Sequence, residues 1–110
     1  MRIITGLSVL LIIIFFASCK KENDNVYPWI ELKGTNPVYT ELGKPYEDAG
    51  AIAMDINASG DTVDISYKLQ IFSNVNVDEI GEYQVFYNVE DDAGNKAEPV
   101  VRTVYVQIFK

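Results

Sequence analysis

From Val26 onward the chain alternates apolar and polar side chains with a period of two, and no helical period of useful length appears after residue 18. Successive side chains of an extended strand point to opposite faces, so this pattern produces ribbons with one apolar side that has to be buried against another. Val63, Ile65, Tyr67, Leu69 and Ile71 alternate with Asp64, Ser66, Lys68 and Gln70, which predicts one strand over 63–71 with the whole first set on one face. Tyr83, Val85, Tyr87 and Val89 repeat the pattern against Glu82, Gln84 and Asn88, with Phe86 as the exception. These two strands are expected to face each other's core. Further runs at 29–32, 38–42, 51–54, 75–77 and 100–109 have strand character, the last rich in β-branched residues. Glycine, proline and asparagine separate them at 33–37, 43–45, 58–61, 80–81 and 92–95, where turns need positive φ or a fixed one. Pro99 should open the last strand or lie at its edge, since it has no N–H for a ladder.

Seven short strands within residues 26–110 predict an all-β fold, an immunoglobulin-like β-sandwich of about seven strands. A domain this small buries only a little over 60% of the surface its unfolded chain exposes. Many exported domains of that size add disulfides. This chain has a single cysteine, Cys19, so packing and polar contacts have to serve instead.

Cys19 follows a short basic start, Met1-Arg2, an apolar stretch from Ile3 to Phe16, and the small pair Ala17-Ser18. This is the three-part build of a secretory signal. Its unbroken apolar core, Val9 to Ala17, is far shorter than the roughly 20 residues a spanning helix needs. Ordinary signal cleavage prefers small residues at the third and first positions before the cut, and the bulky Phe15 and Phe16 spoil the obvious registers. Phe16-Ala17-Ser18-Cys19 resembles the bacterial lipobox, with Phe16 where leucine is commoner. That resemblance implies two or three acyl chains on Cys19, enough for stable membrane anchoring where one chain is marginal. Lys20 rather than aspartate follows the cysteine, which by analogy with Gram-negative sorting implies the outer membrane; the polar tether over 20–25 resembles charged surface-export tethers, from which an exterior-facing domain is expected. The expected organisation is a signal peptide over 1–18, a lipidated cysteine and polar tether over 19–25, and the sandwich over 26–110.

Pro28-Trp29-Ile30-Glu31-Leu32, Leu42-Gly43, the segment from Tyr46 to Asp55, Gly81-Glu82-Tyr83 and Asp91-Asp92-Ala93-Gly94-Asn95 together resemble the bacterial immunoglobulin-like domain named after pesticidal crystal proteins. The resemblance runs from Tyr27 to about Val106. Its most specific pieces are Tyr46-x-Asp48-x-Gly50-Ala51 and the hairpin ending in Gly94-Asn95. Members of that family usually occur in tandem or appended to larger proteins, so a single copy suggests a reduced accessory protein. Gly81-Glu82-Tyr83-Gln84-Val85 also resembles the tyrosine corner of immunoglobulin folds. In that arrangement the Tyr83 hydroxyl bonds to nearby backbone and Val85 stands where antibody domains carry a cysteine.

Composition narrows the function. Removing the leader takes out Arg2 alone, so eight basic residues face sixteen acidic ones in the remainder, with no histidine. Nucleic-acid binding depends on cations at phosphates and is not expected. Without histidine there is no Ser-His-Asp or Cys-His arrangement, and no serine sits in a nucleophile elbow. Paired carboxylates such as Glu47-Asp48 and Asp91-Asp92 have their plainest account as solvated loop residues, so the chain is not expected to be an enzyme. Asp55, Asn57, Ser59, Gly60 and Asp61 echo the first half of an EF-hand loop, but Ser66 stands at the twelfth place instead of glutamate and the flanks are strands. Asp55, Asn57 and Asp61 are therefore weak calcium candidates, and no cofactor is expected.

Aromatic binding is the most direct function in view. The family resemblance implies that Ile30 and Leu32 face inward, in which case Trp29 points outward beside Tyr27, an apolar platform with polar tips on which sugars stack. The plainer role for Trp29 is to cap the sandwich edge. The expectation is a surface-tethered, non-catalytic binding or adhesion module for a glycan or protein partner; the competing one is a structural accessory subunit docked on an outer-membrane assembly through a sheet edge.

Overall fold

The computed structural model describes residues 26–110, and the lipidation expected at Cys19 lies outside them. Seven strands form two sheets: β1 (Trp29–Leu32), β2 (Val38–Glu41), β3 (Ala51–Ile56), β4 (Thr62–Asp64), β5 (Gln70–Ser73), β6 (Gly81–Asn88) and β7 (Val100–Gln107). One sheet has the order β1-β3-β4 and the other β2-β7-β6-β5. All pairings are antiparallel except β2 with β7. This is the immunoglobulin-like sandwich that the period-two pattern predicts.

The core follows the alternation of β6 and β7. Val85 and Tyr87 from β6 and Val104 and Val106 from β7 are buried, while their neighbours Gln84, Phe86, Thr103 and Tyr105 face outward. Ile30, Leu32 and Ala51 close over them from the other sheet. A second cluster of Ala53, Ile65, Val89 and Ala97 fills the end nearest the chain entry. Phe86 breaks the polar series because its cross-strand neighbours are Phe72 and Val101, so an apolar row runs over the outer face of this sheet.

The single strand expected over 63–71 does not form. Val63 and Ile65 point into the core from β4, but the chain then leaves its sheet through a 3₁₀ turn at Ser66–Lys68 and enters the opposite sheet as β5. The polar residues of the alternation cause the break. Asp64 Oδ1 accepts the Ser66 N–H at 2.7 Å; Ile65 N–H still donates to Ala53 O at 2.8 Å, but the Ala53 N–H goes to Ser66 Oγ at 2.9 Å, so a side chain takes the return bond of the last rung of the β3–β4 ladder. Tyr67, expected inward, is 81% exposed on the turn. Ile71 is also largely exposed, because the smaller sheet does not extend over β5. Thus the second half of the run, β5, lies beside β6 in the same sheet, and only the first half, at β4, belongs to the opposite one. The run at 75–77 is not a strand either; it crosses toward β2, where Val77 O accepts the Gly43 N–H at 2.7 Å. Gly81, expected in a turn, is the first residue of β6, and Pro99 stands just before β7, where its missing N–H leaves no gap in the ladder.

At the centre of the larger sheet β7 carries Arg102 in phase with Val100, Val104 and Val106. Its side chain is 0% exposed. Nη2 donates to Lys33 O at 2.7 Å and Gly50 O at 2.8 Å, Nη1 donates to Thr35 O, and Nε pairs with Asp48 Oδ1 at 3.0 Å. Asp48 accepts the Tyr46 hydroxyl at 2.5 Å, the Gly50 N–H at 2.9 Å and the Tyr87 hydroxyl. The guanidinium carbon lies 6.0 Å from the Tyr87 ring centre. One ion pair therefore ties the β1–β2 loop and the segment before β3 to the middle of the other sheet. Gly34 makes this approach possible: its φ is +74°, and a Cβ there would stand 2.8 Å from Ala49 Cβ. Further along, the side-chain amide of Asn36 stands in for a strand, Nδ2 donating to Val101 O at 3.2 Å and Oδ1 accepting the Thr103 N–H at 2.9 Å, before β2 takes over the pairing.

Asp48→Ala should leave the buried guanidinium without its counter-charge and cost about 3–5 kcal/mol. A domain of this size has only about 4–13 kcal/mol to lose, so calorimetry should show a much lowered or absent unfolding transition. Alkaline pH should act at the same place. Burial, then the hydrogen bond to Asp48 and its charge, hold the Tyr46 phenol well above its usual range, against a smaller opposing effect of Arg102. A pKa raised on folding contributes stability that is complete below the unfolded value, about 10, and is lost as pH climbs beyond it. The unfolding midpoint of Tyr46→Phe should therefore fall less steeply than that of the parent between about pH 9 and pH 12; equal slopes would remove Tyr46 from this account.

Candidate functional site

The structure brings Tyr27 and Trp29 together at one depression of about 440 Å³, lined also by Pro28, Ile30 and the segment Lys96, Ala97, Glu98, Pro99 and Val100. Trp29 begins β1 and alternates with the inward Ile30, so its indole reaches the outer side and is half-buried. There its Nε1–H donates to Glu31 Oε2 at 3.0 Å, which fixes the ring. Tyr27 precedes the strand, held beside the buried Pro28, and is 60% exposed. Opposite them, the segment before β7 leaves the β6–β7 connection once Ala97 N has bonded to Val89 O at 3.0 Å. A depression of about 710 Å³ shares Lys96, Ala97 and Pro99 with it and extends to Lys68, Gln70, Asn88 and Glu90.

The hairpin over 91–95 supports this end. Asp91 is buried, and its Oδ1 accepts the N–H groups of Ala93 at 3.0 Å and Asn95 at 2.8 Å. Asn95 Nδ2 donates both to Asp91 Oδ2 and to Val26 O, each at 3.1 Å, so the hairpin holds the chain as it enters β1 beside Tyr27. Gly94 turns it at φ +92°. Lys68 bridges to Asp92, whose carboxylate holds the ammonium above the usual lysine range.

The weak calcium candidates lie in the β3–β4 hairpin. Asn57 Oδ1 accepts the N–H groups of Ser59 and Asp61, both at 2.9 Å, so this oxygen serves the turn. Among the described residues no three His, Cys, Asp or Glu side chains gather to hold a metal ion. Tyr83 donates its hydroxyl to Glu79 O at 2.7 Å across four residues, and Val85 is buried between the sheets. Burial and the Glu79 carboxylate both raise the Tyr83 phenol. A second aromatic surface lies on β2 and β7, where Tyr39 and Tyr105 stack with ring centres 5.3 Å apart and planes 16° from parallel.

Lys96, Glu98 and Pro99 had no mark in the sequence as partners of Trp29, since a contact across the sandwich between residues this far apart leaves no local pattern. Arg102 did have one: its place in an inward series of valines demands a carboxylate, and the Tyr46-x-Asp48 motif supplies it. Chemically the depression offers ring faces, a lysine and a carboxylate around a shallow cavity, suited to stacking and hydrogen bonding.

With fold and site described, comparisons with known proteins give the class. The model of the family "Bacterial surface protein, Ig-like domain" matches residues 30–106, and the chain belongs to that family. Among solved structures it is similar to the lipoprotein BT2262 from Bacteroides thetaiotaomicron, at 27% identity and a TM-score of 0.59 over 76% of this chain and 40% of that one. It is also similar to a structure of CBM51-2 in complex with GlcNAc and INT domains from Clostridium perfringens ZmpB, at 25% identity and a TM-score of 0.53 over 74% of this chain and 17% of that one. This chain thus spans less than half the length of either. No curated protein sequence matches it.

Asp91→Ala should release the hairpin and loosen the Val26 attachment without unfolding the sheets. Amide hydrogen exchange should speed up at Ala93 and Asn95 by at least tenfold while β6 and β7 stay protected; unchanged exchange would show that the turn holds without the aspartate.

Proposed function

We propose that the chain is a lipid-anchored, non-catalytic binding module of a bacterial outer-membrane surface, taking a glycan at the Tyr27–Trp29 depression. The observation that carries this reading is the exposed Tyr27 beside an indole already oriented by Glu31, across a shallow cavity from Lys96 and Glu98. Sugar rings present C–H faces that pack on aromatic planes and hydroxyls that bond to charged groups at the rim. The similarity to a structure of CBM51-2 in complex with GlcNAc and INT domains supports the ligand class, and the similarity to a lipoprotein supports the anchor. Acyl chains on Cys19 would supply the membrane attachment, with the polar residues 20–25 as tether.

Glycan-array binding by the purified protein should drop at least tenfold in Trp29→Ala, with the unfolding midpoint little changed. Cys19→Ala should lose palmitate labelling and leave the membrane fraction. Binding indifferent to the tryptophan would overturn the ligand site, and a stable partner copurifying from detergent regardless of it would favour the structural-subunit reading.

A further inference from the structure

Among the described residues four strands lie at sheet edges: β1 and β4 in one sheet, β2 and β5 in the other. A bare edge is a template for another strand, and proteins guard edges with charge or proline. Three of these edges carry a carboxylate, Glu31 on β1, Asp64 on β4 and Glu41 on β2. The fourth, Gln70-Ile71-Phe72-Ser73, has neither charge nor proline. Both of its apolar side chains are open to solvent, Ile71 at 55% on the inner side and Phe72 at 63% on the outer.

The register shows which backbone groups are free. Asn74 N donates to Gln84 O at 3.2 Å, which makes 74 and 84 a hydrogen-bonded pair. Such pairs alternate along an antiparallel ladder, so Phe72 with Phe86 and Gln70 with Asn88 are bonded in the same way. The N–H and C=O groups of Ile71 and Ser73 therefore point away from β6.

We propose that β5 is a docking edge for a second copy of this chain, paired antiparallel about a two-fold axis at Phe72. In that register Ile71 lies opposite the partner's Ser73, so the outward N–H and C=O groups of one strand meet those of the other. Phe72 lies opposite the partner's Phe72 in a non-hydrogen-bonded pair, the closer of the two kinds. Behind each, Phe86 is 6.0 Å away between ring centres and in register with Val101. The outer face then carries an unbroken apolar row, Val101-Phe86-Phe72 and its mirror order, across an eight-stranded sheet.

Charge selects the occupant. The chain carries a net charge of −7, so each guarded edge presents a carboxylate to any acidic copy approaching it. At β5 two copies meet without a carboxylate on either strand. Four residues a side place the contact below the roughly 1,200 Å² of a standard interface, in the reversible class.

Sedimentation velocity of the purified protein, from about 10 μM to about 1 mM, should show a monomer passing reversibly to a dimer. In Phe72→Lys the dimer should be lost at every concentration with the unfolding midpoint unchanged, since the side chain is exposed. Under mild oxidation Phe72→Cys should cross-link to itself, mapped by mass spectrometry, while Thr103→Cys on the same face should not. A monomer throughout the range, a dimer that survives Phe72→Lys, equal cross-linking at the two positions, or mass gained only with an added extended peptide would each overturn the proposal.

Discussion

The Arg102–Asp48 pair is the contact on which the rest of this sandwich depends. A small two-sheet domain without a cystine needs some other link between its layers, and here it is an ion pair at 3.0 Å reaching from the central strand of one sheet to the segment entering the other. Three backbone carbonyls accept from the two terminal nitrogens of the guanidinium, two tyrosine hydroxyls and an amide donate to the carboxylate, and the buried Nε faces Asp48 as an ion pair without a hydrogen bond. A buried pair gains over its desolvation cost only when its remaining hydrogen-bonding positions are filled. The Tyr46-x-Asp48-x-Gly50 motif acquires its physical sense from this, each residue being one piece of the cage around Arg102.

The pair also positions the surfaces. By holding the β1–β2 loop against β7 it sets where β1 lies, and β1 carries Trp29 to the rim opposite Lys96 and Glu98. The Asp91–Asn95 hairpin fixes the other side by bonding to Val26. An apolar platform is thus mounted on two rigid supports that themselves take no part in the contact surface.

Alternation made most of the fold legible, because in β6 and β7 the hydrophobic pattern and the ladder agree residue by residue. It failed between 62 and 73, where the same alternation continues through a change of sheet. Asp64 and Ser66 read as ordinary outward polar residues, yet their side chains bond to backbone and end β4, something a period of two does not encode. The aromatic pair Tyr27 and Trp29 was legible because the two are only two residues apart, although Tyr27 stands just ahead of β1. Its opposite wall, the short segment ahead of β7, comes from long-range packing and was not. Arg102 could be placed inward by phase alone, and a buried guanidinium calls for a carboxylate of the kind the Tyr46-x-Asp48 motif offers.

The parallel pairing of β2 with β7 gives the domain a direction of strength. The chain enters near the Asp91–Asn95 hairpin and leaves beyond Gln107 at the far pole, beside the loops containing Gly43 and Val77. Tension between entrance and exit pulls β2 one way and β7 the other along their common axis. All the rungs from Val38–Val104 to Glu41–Gln107 bear that load together instead of unzipping singly. A domain strung between a fixed point and a moving one would accordingly resist shear far better than its modest core suggests.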